Sequence, residues 1–120
     1  MHYRELIAWQ KAMSLVTHVY KITSAFPSEE KFGLVSQIRR SAVSVPSNIA
    51  EGQARNTTGE FNQFLGIARG SMAELTTQLL IAENLGYLQD TKETLEMVEE
   101  VGRILTGLIK SLRPTPKPNH

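Results

Sequence analysis

The sequence predicts an all-α protein, an up-down-up-down antiparallel four-helix bundle, from three observations. In four stretches the apolar residues recur three and four positions apart, which places them on one side of a helix. Proline, glycine or capping residues separate these stretches at short turns. No stretch alternates apolar and polar residues as a half-buried strand does. Amphipathic helices joined by short turns pack against their sequence neighbours, and four of them form a bundle.

The first helix is predicted over about residues 4–25 and has a wide apolar face. One stripe contains Leu6, Trp9, Met13, Val16 and Tyr20, and a second contains Ala12, Leu15, Val19 and Ile22. So wide a face can contact two neighbours, in a bundle or at a subunit interface. The helix should stop before Pro27, because the residue preceding a proline avoids the helical region, and Ser28 is expected to cap the next helix.

The second helix is predicted over about residues 29–54, with a kink near Pro46. A proline inside a helix removes one backbone donor and costs about 3 kcal/mol relative to alanine. The buried stripe is Val35, Ile38, Ala42, Val45 and Ile49, and the opposite face carries Ser36, Arg40, Ser44, Ser47 and Glu51. A solvated face would carry more Lys and Glu, so this outward face of small hydroxyls is a sign of self-assembly.

The third helix begins at a capping box formed by Thr57 and Glu60, in which each side chain satisfies a backbone donor of the other residue. Its stripe is Phe61, Leu65, Ala68, Met72, Leu75, Leu79 and Ala82, and Gly86 is its natural stop. On the reverse side lie Gly66 and Gly70. Because an interior glycine costs about 1 kcal/mol relative to alanine, they predict the close approach of another backbone.

The fourth helix is predicted to start with Asp90 and Glu93 in a second capping box. Its stripe is Val98, Val101, Leu105, Leu108 and Leu112. The sequence therefore divides into one bundle domain over residues 1–113 and a disordered proline-rich tail over residues 114–120.

Composition excludes several classes of protein. With no cysteine there is no disulfide framework or thiolate site, which is typical of the reducing cytoplasm. No apolar run approaches the roughly 20 residues that span a bilayer, so no membrane partner is expected. Thirteen Lys and Arg against twelve Asp and Glu argue against a polycation that holds nucleic acid by bulk charge alone, although a local patch is still compatible.

No catalytic, metal or cofactor site is predicted. His18 stands alone in the first helix, without the Glu-x-x-His spacing of a di-metal bundle. Ser41, Ser44 and Ser47 lack the glycine-bracketed turn that exposes a catalytic hydroxyl. The sequence therefore predicts a protein that is not an enzyme and has no small-molecule substrate.

Four arginines are the strongest candidates for ligand contact: Arg39, Arg40, Arg55 and Arg69. They can orient RNA or DNA through its phosphates, or they can pair with Glu51, Glu60 or Glu74 within or between subunits. Tyr3, Trp9 and Tyr20 can stack on bases or pack in the core.

Three segments resemble the 23S rRNA-intervening sequence proteins, also called the S23 ribosomal protein family: LIAWQKAM, FPSEEKFGLVSQIRRSAVSVPSNIAEG and EFNQFLGIARGSMAELTTQLLIAENLGYL. Some members are encoded in insertions within bacterial 23S rRNA genes. The resemblance implies a bacterial four-helix bundle that assembles into a homopentamer, with no enzyme activity. It also implies RNA or DNA association, since the family is similar in fold to a nucleic-acid-associated accessory protein of diversity-generating retroelements.

The family pattern falls on two parts of this chain. It matches Gln37, Arg39, Arg40, Ser44, Pro46, Asn48, Glu51, Gly52, Phe61, Gly70, Glu74 and Gln78. The chain departs from it in the turn before the third helix, which is often rich in Arg and Lys in relatives, and at Gly66, which is often a large residue there.

Residues and resemblance together predict a nucleic-acid or subunit-interface surface. It comprises Arg39, Arg40, Ser44, Ser47, Asn48, Glu51, Arg55, Arg69, Gly70 and Glu74. The leading hypothesis is a homo-oligomeric bundle that binds RNA or another nucleic acid. The alternative is a protein-binding or scaffolding module without a nucleic-acid ligand.

Overall fold

The computed structural model describes residues 2–112, and within that range it contains helices and no strand. The four α-helices are α1 (Ile7–Thr23), α2 (Leu34–Gln53), α3 (Thr58–Asn84) and α4 (Lys92–Ser111), with 3-10 turns at Tyr3–Glu5 and Ser28–Glu30. The predicted four-helix bundle is confirmed. The predicted tail over residues 114–120 lies outside the described part of the chain.

Each helix packs against two others. α1 and α3 both contact α2 and α4. Lys11 lies 3.0 Å from Glu100, and His18 Nε2 lies 2.7 Å from Thr94 Oγ1, so α1 and α4 run in opposite directions. His18 thus has a structural partner on α4.

The predicted apolar stripes form the core. Its most deeply buried large side chains include Leu15, Val19, Ile38, Val45, Ile49, Leu65, Leu75, Leu79, Val101 and Leu105. In α1, Ala12, Leu15 and Val19 of one stripe are buried. In the other stripe, Leu6, Trp9 and Val16 are partly buried against the core, whereas Met13 and Tyr20 are 41% and 42% exposed, so part of the wide apolar face of α1 lies on the surface.

The start of α2 differs from the prediction. Ser28 to Glu30 form a 3-10 turn, Ser28 caps no helix, and α2 begins at Leu34 rather than near residue 29. The Glu30 carboxylate accepts a hydrogen bond from the Leu34 backbone N–H (3.4 Å) and another from the Tyr87 hydroxyl (3.1 Å). The hydrogen bond to Glu30 raises the pKa of Tyr87. A contact between residues far apart in sequence therefore holds this turn.

Pro46 lies inside α2, which continues through it as one helix, and its side chain is buried. One helix was predicted here rather than two because the apolar spacing stays in phase across the proline. The bend itself stays a prediction.

The caps of α3 agree with the sequence in part. Thr57 Oγ1 accepts from the Glu60 N–H at 3.1 Å, whereas the Glu60 carboxylate accepts from the Thr57 hydroxyl and not from its backbone. At the other end Gly86 has a φ of +80°, and Tyr87 N–H donates to Ala82 O, which is the Schellman stop that the glycine predicted. For α4 the N-cap position is Thr91, whose side chain makes no capping hydrogen bond, while the carboxylate of the predicted cap, Asp90, accepts a hydrogen bond from the Lys92 backbone N–H at 3.1 Å.

The glycine that meets a close neighbour is not one of those predicted. No atom lies within 4 Å of a Cβ built on Gly66 or Gly70, so the expectation of a nearby backbone is wrong within this chain. At Gly52 on α2, by contrast, a Cβ would lie 2.7 Å from Phe64 Cβ and 2.9 Å from Phe61 Cδ1. α2 and α3 can approach each other closely here because the position has no side chain.

Candidate functional site

The ten residues predicted as one surface lie in several places. Arg39 and Ser47 face α1, and Glu51 and Arg55 flank the turn between α2 and α3. Arg40, Ser44 and Glu74 line a groove between α2 and α3, and Asn48 bonds Ser44 beside it. Gly70 and Arg69 are exposed on α3 away from that groove.

Arg39 is committed to contacts within the bundle. Its Nε donates to Thr23 Oγ1 at 2.9 Å, and one terminal nitrogen donates to the Tyr20 carbonyl at 3.2 Å. The guanidinium also lies 4.4 Å from the centroid of the Tyr20 ring. This arginine joins α2 to α1, a role that neither sequence interpretation foresaw.

Arg55 forms an ion pair with a glutamate, which is the second of the two roles predicted for the arginines. It donates to Glu51 Oε1 at 2.8 Å, one helical turn back, and its guanidinium lies 4.8 Å from the centre of the Phe64 ring. Both partners of the ion pair are about half exposed, so the pair contributes little to stability.

A groove of about 440 Å³ between α2 and α3 is polar. Ser44 Oγ lies 2.8 Å from Ser71 Oγ, and Asn48 Nδ2 donates to the Ser44 carbonyl at 2.8 Å. Of the small hydroxyls on the predicted outer face of α2, Ser44 is thus explained by contact with α3 in the same chain, whereas Ser36 and Ser47 lie toward α1. We call this the polar groove, lined by Gln37, Arg40, Ser41, Ser44, Ile67, Ser71, Glu74 and Gln78.

Arg40 and Arg69 are the two predicted arginines whose guanidinium groups make no ion pair, hydrogen bond or ring contact with residues 2–112. They do not share a face. Ile67 lines the polar groove, and Arg69, two residues further on, points about 200° away around α3. Arg40 alone among the predicted arginines is both unpaired and beside a groove.

A groove between α1 and the start of α2 has a concentration of positive charge. This groove, of about 490 Å³, contains three cations, two aromatic rings and no carboxylate. We call it the cationic groove; its lining is Tyr20, Lys31, Phe32, Val35, Ser36, Arg39, Arg40 and Val43.

Two residues of the cationic groove were missed by the sequence analysis. Phe32 is 88% exposed, and Lys31 Nζ lies 5.5 Å from the centroid of its ring. Both residues precede α2 and belong to no apolar stripe. The available signal was an aromatic side chain outside the helical pattern, next to a lysine.

Further along the same side of the molecule, the surface between α1 and α2 becomes apolar. A groove of about 330 Å³ there has no charged residue in its lining. We call it the apolar groove; its lining is Tyr3, Trp9, Met13, Val16, Val43, Pro46, Ser47 and Ala50. Val43, which is 40% exposed, lines both the cationic and the apolar groove. The outer stripe of α1 and one side of α2 therefore form one continuous surface, with cations at one end.

Two other kinds of site are absent from the described residues. No group of three or more His, Asp or Glu side chains within residues 2–112 is arranged to hold a metal ion. Over the same residues, no helix has the length and hydropathy to cross a bilayer.

Comparison with known proteins gives a family match and matches among solved structures. The family model described as 23S rRNA-intervening sequence protein matches residues 4–107. Among solved structures, the chain is similar to a protein of unknown function from the S23 ribosomal protein family of Bacteroides thetaiotaomicron. The TM-score is 0.79 at 20% sequence identity, covering 87% of this chain and 96% of that chain, so this likeness shows the fold. No curated protein matches the chain.

Proposed function

The chain belongs to the 23S rRNA-intervening sequence protein family, and we propose that it is a non-enzymatic, homo-oligomeric bundle that binds RNA through the cationic groove. The observation that carries this proposal is the lining of that groove, where three cations meet no carboxylate. In a chain with nearly balanced charge, such a local excess attracts a polyanion to one place. Two of these cations, Lys31 and Arg40, have no ion-pair partner within residues 2–112 and are available to phosphates.

The apolar groove supports the oligomeric part of the proposal. Contiguous apolar surface rimmed by polar groups is typical of protein interfaces, and this groove carries no charge that association would have to desolvate. We propose that it is the face by which copies of the chain join, and that the assembly is the pentamer that the family resemblance implies.

A second candidate function follows from the same apolar groove. If its natural occupant is another protein, the chain is a scaffolding module and the cationic groove serves only to orient that partner. This candidate predicts no RNA affinity at physiological salt.

Replacing Arg40 with glutamine is expected to weaken binding to a single-stranded RNA of mixed sequence by about tenfold. One charge-assisted hydrogen bond contributes about 1.5 kcal/mol, and 1.4 kcal/mol corresponds to a factor of ten. The slope of log affinity against log salt should also fall by about 0.7, as expected for one lost phosphate contact on a single strand. Fluorescence anisotropy at four salt concentrations measures both quantities.

Arg69→Gln is the matched control, because it removes the same charge from an exposed, unpaired arginine outside the groove. It should change the affinity less than twofold, the ordinary scatter of such titrations, roughly 0.4 kcal/mol. Equal losses in both variants would mean that RNA responds to net charge rather than to the groove. Absence of any RNA binding by the unchanged protein would favour the scaffolding candidate.

A further inference from the structure

We infer that the cationic groove holds an unpaired nucleotide, with its base stacked on the Phe32 ring and its phosphate between Lys31 and Arg40. The inference deepens the proposed RNA binding and rests on it. It assigns to the site a class of ligand, a single-stranded segment or loop rather than a duplex.

The exposure of Phe32 is the first observation. The ring is 88% exposed, whereas the other exposed large apolar side chains of the described residues are 40–62% exposed, with Ile7 and Leu85 at the upper end. A phenylalanine in water forgoes about 1.5–3 kcal/mol of burial free energy, so a ligand that covers the ring gains part of that free energy on binding. The face of an aromatic ring accepts any base, because every base has a π-face.

The second observation is that the other aromatic ring of the cationic groove already contacts a cation that is fixed in place. Tyr20 also lines the groove, but the Arg39 guanidinium lies 4.4 Å from the centroid of its ring and is held there by hydrogen bonds to α1. Phe32, at 88% against 42% for Tyr20, is the more exposed of the two rings. No hydrogen bond or ion pair within residues 2–112 holds the ammonium of Lys31, which lies 5.5 Å from the centroid of the Phe32 ring.

The third observation concerns the acidic residues next to Phe32 in the sequence. Glu30 does not line the groove, and its carboxylate accepts hydrogen bonds from Tyr87 and from the Leu34 backbone. Glu29 is exposed and does not line the groove. A phosphate can thus approach Lys31 and Arg40 without meeting a carboxylate in the lining, and the groove volume of about 490 Å³ lies in the range of sites that take small organic ligands, about 300–1,000 Å³.

The charge of the cationic groove favours a nucleotide over a second copy of the chain as its occupant. A protein interface formed over the cationic groove would desolvate Lys31 and Arg40, which is costly without paired acids. The neighbouring apolar groove has no such cost. In a duplex the bases stack on one another and cannot stack on a protein side chain. An exposed ring in the cationic groove therefore selects unpaired nucleotides.

The test compares Phe32→Leu with Phe32→Trp in the full-length protein. Leucine keeps the apolar volume and removes the aromatic face, and tryptophan keeps the face. Fluorescence anisotropy with one RNA sequence, presented as a single strand and as a duplex, gives the affinities. Native mass spectrometry of each variant gives the subunit number.

We expect the unchanged protein to prefer the single strand. Phe32→Leu should lose about tenfold in affinity for the single strand with little change for the duplex, whereas Phe32→Trp should bind at least as tightly as the unchanged protein. The subunit number should be the same in all three.

Three results would overturn the inference. Equal affinity of Phe32→Leu and the unchanged protein for the single strand would show that no base stacks on the ring. A lower subunit number in Phe32→Leu would assign the ring to a subunit contact instead. If Arg40→Gln weakens RNA binding and Phe32→Leu does not, the proposed function stands and only the stacking inference fails. If the unchanged protein binds neither the single strand nor the duplex, the proposed function and the stacking inference both fail.

Discussion

Replacing Gly52 with alanine is expected to lower the free energy of unfolding by about 1–2 kcal/mol, although alanine is the better helix former. The added Cβ would lie 2.7 Å from Phe64 Cβ and 3.2 Å from the Phe61 carbonyl oxygen. Both atoms are close to the backbone of α3 and cannot move without shifting that helix. Overpacking of this kind costs about 1–3 kcal/mol, of which the helix propensity of alanine returns at most about 1 kcal/mol. Urea denaturation followed by circular dichroism measures the difference.

Gly70→Ala is the control for this prediction. Gly70 lies in the interior of α3 with nothing within 4 Å of the added Cβ, so this change should stabilise the protein by up to about 1 kcal/mol. The two variants should therefore differ in sign. Stabilisation by both would show that α2 and α3 are not in contact at Gly52, and destabilisation by Gly70→Ala would indicate that another copy packs on the outer face of α3.

Replacing Arg39 with glutamine is expected to cost about 1–3 kcal/mol of stability. The Thr23 hydroxyl, which is buried, donates to the Val19 carbonyl at 2.7 Å and accepts from Arg39 Nε at 2.9 Å. Glutamine is shorter and neutral, so it leaves this acceptor and the Tyr20 carbonyl without their charged donor. The contact of the guanidinium with the Tyr20 ring is lost as well. Thermal and urea denaturation measure the loss.

Arg40, the next residue, provides the comparison within one helix turn. Arg40→Gln should leave the stability within about 0.5 kcal/mol of the unchanged protein, since the side chain is exposed and unpaired within residues 2–112. Of two adjacent arginines, one is thus expected to support the fold and the other to bind RNA. Equal destabilisation by the two variants would contradict this division.

The helices and the core could be predicted from the sequence because their signal is local. The spacing of Leu65, Leu75 and Leu79 on α3 and of Val101 and Leu105 on α4 is set by the helical repeat itself, and all five are buried as expected. The stop at Gly86 was predictable for the same reason, because a positive φ at the end of a helix favours glycine.

The start of α2 and the close contact at Gly52 could not be predicted in this way. The first depends on a hydrogen bond between Glu30 and Tyr87, and the second on the packing of Phe61 and Phe64 against another helix. Neither partner is marked by spacing along the chain. Close approach was predicted at Gly66 and Gly70 because the sequence shows which residues lack a side chain and not which of them has a neighbour.

The candidate site was predicted in part. Arg40 was singled out correctly as exposed and opposite the buried stripe of α2, but its partners Lys31 and Phe32 come from a turn where helical periodicity carries no information. Arg39 flanks the same stripe and looked like a second ligand contact. The structural role of Arg39 depends on the position of Thr23 on α1, and the sequence of α2 alone does not indicate that position.

Native mass spectrometry of the untagged, unchanged protein, taken gently from cells with its ultraviolet absorbance ratio recorded, tests the central claim most directly. It reports the number of subunits and the bound nucleic acid in one experiment. We predict a homo-oligomer, five subunits by the family resemblance, that carries RNA and releases it as the salt concentration rises. A clean oligomer without nucleic acid would contradict the RNA-binding claim and favour the scaffolding candidate, and a monomer would contradict the assembly through the apolar groove.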